Sequence, residues 1–242
     1  MEYVSELGLD SGLTAVVGAG GKKSTMYTAA PAIDRAVVTT AVRIPPFEES
    51  VAELYETTDP LSALQRVEEW PVGLVPRYEE KRYLGYDYET IAAIADSPIP
   101  DAVLVKADGA RNREFKVPGA DEPKIPPAVD RVLGLVSTQV VGQPLTEDFV
   151  HRVDRVAALT GLSRGEPITT DAVATVLSSP EGTEKNVPAS AEYVPVLNKV
   201  DDDSALETAR EIADKVLDRS RADRVALTQL LDRPEPLIEI RD

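Results

Sequence analysis

The chain of 242 residues contains no cysteine and a single histidine. Without cysteine it cannot form a disulfide or use a thiolate nucleophile, and one histidine is too few for a zinc site of His and Cys ligands. A metal ion would have to be a hard cation on oxygen ligands. The sequence also has no uninterrupted apolar run of about 18 residues and no basic segment after Met1. We therefore expect a cytoplasmic protein with no membrane partner.

Basic residues are scarce as well, with 26 Lys and Arg against 42 Asp and Glu and a net charge of −16. Because the acids are spread along the chain, a polyanion would be repelled, and we expect no nucleic-acid partner. A dispersed acidic surface that is poor in lysine is typical of halophilic proteins, where salt screens the self-repulsion. An ordinary acidic protein of a mesophile is the alternative interpretation.

Short apolar runs alternate with amphipathic segments along the chain. Several runs are continuous in Val, Leu and Ala, as is typical of parallel strands that are covered on both faces. The predicted strands are 13–18, 35–40, 101–108, 131–137, 194–200 and 224–230. The clearest predicted helices are 147–159 and 204–220. This rhythm predicts an α/β fold with a mostly parallel sheet flanked by helices, in one domain over 1–242. We interpret 44–100 as an insertion that covers a pocket.

The stretch "LTAVVGAGGKKST" (13–25) predicts a strand, a tight turn and a helix start, the arrangement in which a backbone surrounds a phosphate. It fits neither the nucleoside-triphosphate loop GxxxxGK[ST] nor the dinucleotide fingerprint GxGxxG. Since other strand ends are also polar, we interpret it as a shortened phosphate loop with Lys22 as the phosphate lysine. The candidate phosphate contacts are Gly18, Ala19, Gly20, Gly21, Lys22, Lys23, Ser24 and Thr25.

The stretch "LNKVD" follows the predicted strand with "VPVL". Asn198, Lys199 and Asp201 match the pattern NKxD, in which the carboxylate accepts hydrogen bonds from guanine N1 and N2 and the lysine stem packs along the base. A pattern of four positions with one free also occurs by chance, ahead of an ordinary helix. Its place after a buried strand favours guanine, and GTP rather than ATP is the expected ligand.

The predicted strands 35–40 and 101–108 end in Thr40 and Asp108, whose side chains suit a role in phosphate chemistry. Asp108 suits the acid that holds Mg²⁺, opposite a hydroxyl from the loop, which Ser24 or Thr25 would supply because Lys23 stands in the usual place. A helical wheel over 147–159 puts His151 opposite the apolar stripe, either solvated or turned toward the pocket. The candidate catalytic residues are Lys22, Thr40, Asp108, Arg111 and His151. The candidate metal ligands are Ser24 and Asp108.

Successive motifs between residues 13 and 201 resemble those of the YqeC family. They are "VVGAGGKKST", "VVTTAVRIPP", "KADGARNREFKVPGADEPKIP", "VVGQPLTEDFVHR", "LTGLSRGEPIT", "SSPEGTEKNVP" and "LNKVD". The resemblance implies a P-loop NTPase-like three-layer fold and an accessory or maturation role for a selenium-dependent molybdenum hydroxylase. The chain departs from the family pattern at two positions. Lys23 stands where Thr or Ser is usual and Lys106 where an acid is usual, so two cations flank the expected metal position.

These observations together predict a protein that binds a guanine nucleotide with Mg²⁺, hydrolyses it slowly and assists a client metallocofactor enzyme. A non-catalytic module that retains the nucleotide is the first alternative, because of Lys23 and Lys106. A small-molecule kinase or transferase that uses the same pocket is the second. Turnover measured with and without acceptors would separate them, and a homodimer is compatible with the sequence.

Overall fold

The computed structural model describes residues 1–231 and 233–242. The helices are α1 (Glu2–Glu6), α2 (Lys22–Ala29), α3 (Pro60–Leu64), α4 (Tyr88–Asp96), α5 (Val153–Thr160), α6 (Thr170–Ser178) and α7 (Asp203–Leu217). The strands are β1 (Gly12–Gly18), β2 (Ala36–Thr40), β3 (Glu53–Glu56), β4 (Val72–Val75), β5 (Tyr78–Glu79), β6 (Arg82–Tyr83), β7 (Ala102–Lys106), β8 (Phe115–Lys116), β9 (Arg131–Ser137), β10 (Val150–His151), β11 (Glu192–Asn198), β12 (Val225–Thr228) and β13 (Leu237–Arg241).

Nine strands form one sheet in the order β13-β12-β11-β9-β1-β7-β2-β4-β3. All neighbouring strands are parallel except the pair β12 and β13. The mostly parallel α/β sheet is thus confirmed. Strands β7 and β2 lie on one side of β1, and β9, β11 and β12 on the other, so the strand order reverses at β1. Ligands of such sheets bind beyond the carboxyl ends of the strands at this point.

Helices cover both faces of the sheet because the side chains of a strand alternate between them. Val16 of β1 packs in one core with Tyr3 of α1 and Met26 of α2. Ala15 and Val17 pack in the opposite core, which α3 and α4 share. A third core joins α5, α6 and α7 to β9, β11 and β12. The result is a sheet between two helical layers, as expected of a P-loop NTPase-like sandwich.

All six predicted strands are present, and β3, β4 and β13 extend the sheet at its two edges. Segment 44–100 provides β3 and β4, the hairpin β5–β6 and the helices α3 and α4. From this segment, Pro45 lines the cavity described below. Much of this segment therefore continues the sheet and its helical layer.

The helix predicted over 204–220 is confirmed as α7, and the carboxylate of Asp202 caps it by accepting a hydrogen bond from Ala205 N at 2.8 Å. The start predicted for the helix over 147–159 is wrong. Val150–His151 forms β10, which pairs with β8, and α5 begins at Val153 after Arg152, whose φ is +64°. His151 consequently does not lie on a helix opposite an apolar stripe. None of the helices that the structure describes is long and apolar enough to cross a membrane.

Candidate functional site

The loop between β1 and α2 has a backbone that glycine alone adopts without strain. Gly18, Gly20 and Gly21 have φ angles of +91°, +81° and +141°. A Cβ on Gly20 would lie 2.6 Å from Ser137 N, and one on Gly21 would collide with Asn198 Nδ2. The glycines therefore let the loop pass directly over the ends of β9 and β11.

The loop leads into the amino end of α2, which no side chain caps. The backbone N–H groups of Lys22, Lys23 and Ser24 belong to the first turn, so they have no acceptor within the helix. Gly21 precedes them as the residue before the first turn. Free N–H groups and the positive end of the helix dipole favour an anion at this position.

A cavity of about 300 Å³ opens at this helix start, and we call it the loop cavity. It contains six cationic side chains, although the whole chain carries a net charge of −16. Its lining residues in the described chain are Gly20, Gly21, Lys22, Lys23, Ser24, Pro45, Lys106, Gly109, Ala110, Arg111, Asn112, Arg113, Glu114, Lys199 and Leu231. Glu114 is the acid of this set, and its Oε2 is buried without a hydrogen-bond partner. Such a concentration of positive charge suits an anionic ligand.

Lys22 and Asp108 form a buried ion pair beneath the loop, with 3.0 Å between Nζ and Oδ1. Lys22 Nζ also donates to the carbonyl oxygen of Gly18. Asp108 Oδ2 accepts from Gly18 N at 2.9 Å and from Lys116 Nζ at 2.8 Å. Burial opposes the ionisation of Asp108, but the charges of Lys22 and Lys116 outweigh it and lower the pKa of the carboxyl. Both oxygens of Asp108 are therefore engaged with cations.

Lys116 extends this network away from the loop. Its fully buried ammonium donates to Asp108, to the Gly109 carbonyl at 2.7 Å and to Glu122 Oε2 at 3.0 Å. Arg152 NH1 donates to the same Glu122 oxygen at 2.7 Å. Although burial raises the pKa of Glu122, its bonds to Arg152 and Lys116 prevail and lower it to about 2. Alternating charges thus connect the loop to the start of α5.

Lys106 ends β7 and is 5% exposed. It lies opposite Val16 of β1 and Thr40 of β2, and its Nζ donates to the carbonyl of Arg43 at 3.0 Å. Burial, together with the charge of Lys22, lowers the pKa of Lys106 to about 7. An anion placed in the cavity would favour the charged form of this amine.

A second cavity of about 310 Å³ adjoins the first, and we call it the side cavity. It shares Gly21, Ser24, Lys199 and Leu231 with the loop cavity. Its other lining residues are Gln139, Asn198, Asp201, Gln229 and Leu230. The strand-end pattern around 198–201 therefore lies beside the glycine loop, as its place in the sequence predicts.

The three residues of that pattern have different surroundings. Asn198 is buried, and its Nδ2 donates to Gly20 O at 2.8 Å while its Oδ1 accepts from Thr228 Oγ1 at 3.2 Å. Lys199 has a φ of +64° and donates to Glu114 at 2.8 Å. Asp201 is exposed and accepts from Gln139 Nε2 at 2.8 Å. Asn198 supports the loop, whereas the side chains of Lys199 and Asp201 have polar partners that a ligand could replace.

Five further predicted site residues either line the loop cavity or shape the loop. Lys23, Ser24 and Arg111 line the loop cavity. Thr25 is buried, and its Oγ1 donates a hydrogen bond to Gly21 O at 3.1 Å. Ala19 is also buried, and its backbone N–H donates to Leu135 O at 2.9 Å. These two contribute to the loop's conformation.

Thr40 and His151 are not among the residues that line either cavity in the described chain. The hydroxyl of Thr40 lies 2.7 Å from Val42 O and 3.0 Å from Lys106 O, which closes the turn after β2. His151 is paired in register with Lys116. The structure brings together the loop, Lys106, Arg111 and the 198–201 pattern, and leaves these two residues outside.

Sequence reasoning missed Lys116, Glu122, Glu114 and Gln139. Lys116 stands between Phe115 and Val117, both buried, in a segment rich in charged residues. A lysine enclosed by apolar neighbours is a usable signal, because a buried ammonium requires a carboxylate close by. No comparable signal marks Glu114 or Gln139.

The residues expected to hold Mg²⁺ do not fit that ion. Within the described chain, Asp108 Oδ1 makes no hydrogen bond but lies 3.0 Å from Lys22 Nζ, and Oδ2 accepts from Lys116, so each oxygen faces a cation. Mg²⁺ requires near-octahedral oxygen ligands and is repelled by cations. Asp108 is therefore a partner of two lysines in this structure.

A family model described as "YqeC protein" matches residues 14–154. The chain is also similar to an uncharacterized YqeC protein of Escherichia coli (strain K12), with 27% identity over 192 residues, which cover 76% of this chain and 75% of the relative. No solved structure matches the chain. The family match spans the glycine loop, Lys106, Asp108 and the segment with Lys116, Glu122 and Arg152. Because it covers more than half of the sequence, the chain belongs to the YqeC family.

Proposed function

We propose that this protein binds a guanine nucleotide, with the phosphates in the loop cavity and the base in the side cavity. The observation that carries the proposal is the junction of the two cavities at Gly21, Ser24, Lys199 and Leu231. Cations at a helix start line the loop cavity, and a carboxylate and amides at strand ends line the side cavity. A ligand with an anionic end and a polar aromatic end matches this arrangement.

The phosphate end is supported by the backbone and by charge. The free N–H groups at the start of α2 point out of the helix toward its amino end, and Lys23, Lys106, Arg111 and Arg113 line the same space. Lys22 is held by Asp108. Since Lys116 also neutralises Asp108, Lys22 could move toward a phosphate without leaving a buried carboxylate unpaired.

The base end is supported by Asp201 and Gln139. The carboxylate of Asp201 already accepts an N–H bond from the amide of Gln139. Guanine offers donors at N1 and N2 that would replace this amide, whereas adenine offers an acceptor at N1. A site whose polar groups stay unpaired with the wrong base discriminates strongly against it. Guanine is therefore preferred to adenine.

We further propose slow hydrolysis of the nucleotide and a role as an accessory or maturation factor for a molybdenum or selenium-dependent hydroxylase. The resemblance of the sequence motifs suggests the client. Slow turnover follows from the site, because Asp108 is neutralised and Thr40 and His151 lie outside the described lining of the cavities. The same observations favour a second candidate, a binding module that retains nucleotide without hydrolysing it. Single-turnover hydrolysis of GTP, alone and with a client enzyme, separates the two.

Calorimetry against GTP, GDP, ATP and guanosine tests the proposal, at high and low salt. We expect GTP to bind more tightly than ATP by about a hundredfold, a ratio within reach of hydrogen-bond discrimination. Asp201→Ala should abolish this preference while ATP binding stays unchanged. Asp203→Ala is the matched control, since this neighbouring acid lies outside the residues that line the side cavity. Equal affinity of the intact protein for ATP and GTP would exclude the guanine assignment.

A further inference from the structure

We propose that the loop cavity binds the phosphate groups of its ligand without a divalent cation, and that Lys106 supplies the positive charge that a metal ion would otherwise supply. The inference rests on the proposed function for the identity of the ligand. It concerns the phosphate end alone, so it can be tested with a ligand that has no base.

The first argument is that each oxygen of the buried acid faces an ammonium. Asp108 is 1% exposed, and its two oxygens face Lys22 at 3.0 Å and Lys116 at 2.8 Å. Lys116 already directs its three N–H groups to Asp108, Gly109 and Glu122. A metal ion at Asp108 would have to take the place of Lys22 at Oδ1 or of the fully bonded Lys116 at Oδ2, and in either place it would lie beside the ammonium that remains.

The second argument is the position of Lys106. It lies at the carboxyl end of β7 beside the central strand, in the wall of the loop cavity. An ammonium has three N–H donors, and in the described chain one of them is bonded, to the carbonyl of Arg43. Two donors therefore remain for a ligand in the cavity. Because the amine is buried, its bond to a phosphate oxygen would be little weakened by water.

The third argument is the charge balance of the cavity. Its described lining carries six cations and one acid, Glu114, which is itself paired with Lys199. A dication among these groups would be repelled by each of the six cations. When Mg²⁺ is bound to a polyphosphate it also neutralises the charge that the lysines attract. Mg²⁺ should therefore leave affinity unchanged or lower it.

Calorimetry of the full chain with GTP, and separately with pyrophosphate, each in excess Mg²⁺ and in excess EDTA, tests the inference. We expect the Kd in EDTA to be equal to or lower than the Kd in Mg²⁺. A Kd that rises more than about tenfold in EDTA, about 1.4 kcal/mol, would overturn the inference and leave the proposed function intact. Pyrophosphate binding in EDTA without GTP binding would support the inference and contradict the proposed function. No binding of either ligand in both conditions would overturn both.

Variants of Lys106 identify the residue responsible. Lys106→Met should weaken pyrophosphate binding in EDTA by about tenfold or more, as expected for the loss of a charge-assisted bond. Lys106→Glu should weaken it further and make the remaining binding depend on Mg²⁺. Lys106→Arg keeps the charge and should retain binding in EDTA, which separates charge from folding. Lys215→Met, in α7 outside both cavities, is the control with a matched change. Unchanged binding by folded Lys106→Met would contradict the assignment.

Discussion

His151 lies beside three cations, and its surroundings keep the imidazole neutral. Burial first, and then the charges of Arg152, Lys116 and Arg111, lower the pKa of His151 to about 4, while Glu122 opposes the shift. The unfolded chain would bind a proton near the ordinary value of about 6.5. Between these values the unfolded state binds more protons, so this group makes the fold less stable as the pH falls from about 6.5 toward 4.

We predict a titration midpoint for His151 close to 4, measured by NMR on the imidazole resonances. Assignment is unambiguous because the chain has one histidine. Arg152→Gln should raise the midpoint toward the ordinary value, because it removes the strongest neighbouring charge. Arg155→Gln serves as the control, since Arg155 bonds to Pro118 O and is not among the charges that act on His151. A midpoint near 6.5 in the intact protein would contradict the described surroundings.

The residues of the candidate site differ in how far the sequence could reveal them. The glycine loop and the 198–201 pattern were visible because their types and order are local in the chain. The charge network was not, because Lys116 meets Asp108 and Glu122 only after β8 has folded against the end of the sheet. The sequence offered Asp108 as a metal ligand, and nothing near it in the chain shows that two lysines occupy its oxygens.

The loop from β1 to α2 is an element whose shape depends on particular glycines, and Gly21 is the one that approaches Asn198. We predict that Gly21→Ala lowers stability and abolishes nucleotide binding, because the new Cβ would collide with Asn198 and break the bond from Asn198 to Gly20 O. A positive φ alone costs a residue other than glycine about 1–3 kcal/mol. Urea unfolding and calorimetry measure the two effects.

Gly142→Ala is the control for this variant, since Gly142 has a φ of +80° but no atom lies within 4 Å of the position that a Cβ would take there. It should show the backbone cost alone, on the order of 1 kcal/mol, with binding intact. If Gly21→Ala is no more harmful than Gly142→Ala, the close approach of the loop to Asn198 is not essential.

The elements themselves were predictable where one pattern dominates. Continuous apolar runs gave the central strands, and a long amphipathic pattern with Asp202 as its cap gave α7. The helix over 147–159 was predicted to begin too early because Val150 fits the apolar stripe of a helix and His151 fits its polar face. Their actual partner is β8, about 35 residues earlier in the chain, and local periodicity carries no information about such pairing.

The whole molecule combines a net charge of −16 with a cavity lined by six cations. We predict opposite responses to salt. Raising KCl should raise the Tm, because screening reduces the repulsion among surface acids, and should weaken nucleotide binding, because it also screens the attraction of the cavity for phosphate. Thermal unfolding and calorimetry over a salt series measure both. A Tm that falls with salt would show that attractive ion pairs, rather than repulsion, dominate the surface.

Asn198 joins three parts of the molecule, since its amide bonds Gly20 of the loop and Thr228 of β12, while Lys199 and Asp201, which follow it in the chain, line the side cavity. The carbonyl of Gly20 therefore cannot shift without disturbing the strand end that receives the base. Two halves of a nucleotide supplied as separate molecules, guanosine and pyrophosphate, would meet one connected piece of backbone. Each should bind more tightly when the other is present, so the intact nucleotide gains from cooperativity between its ends as well as from the contacts of each end.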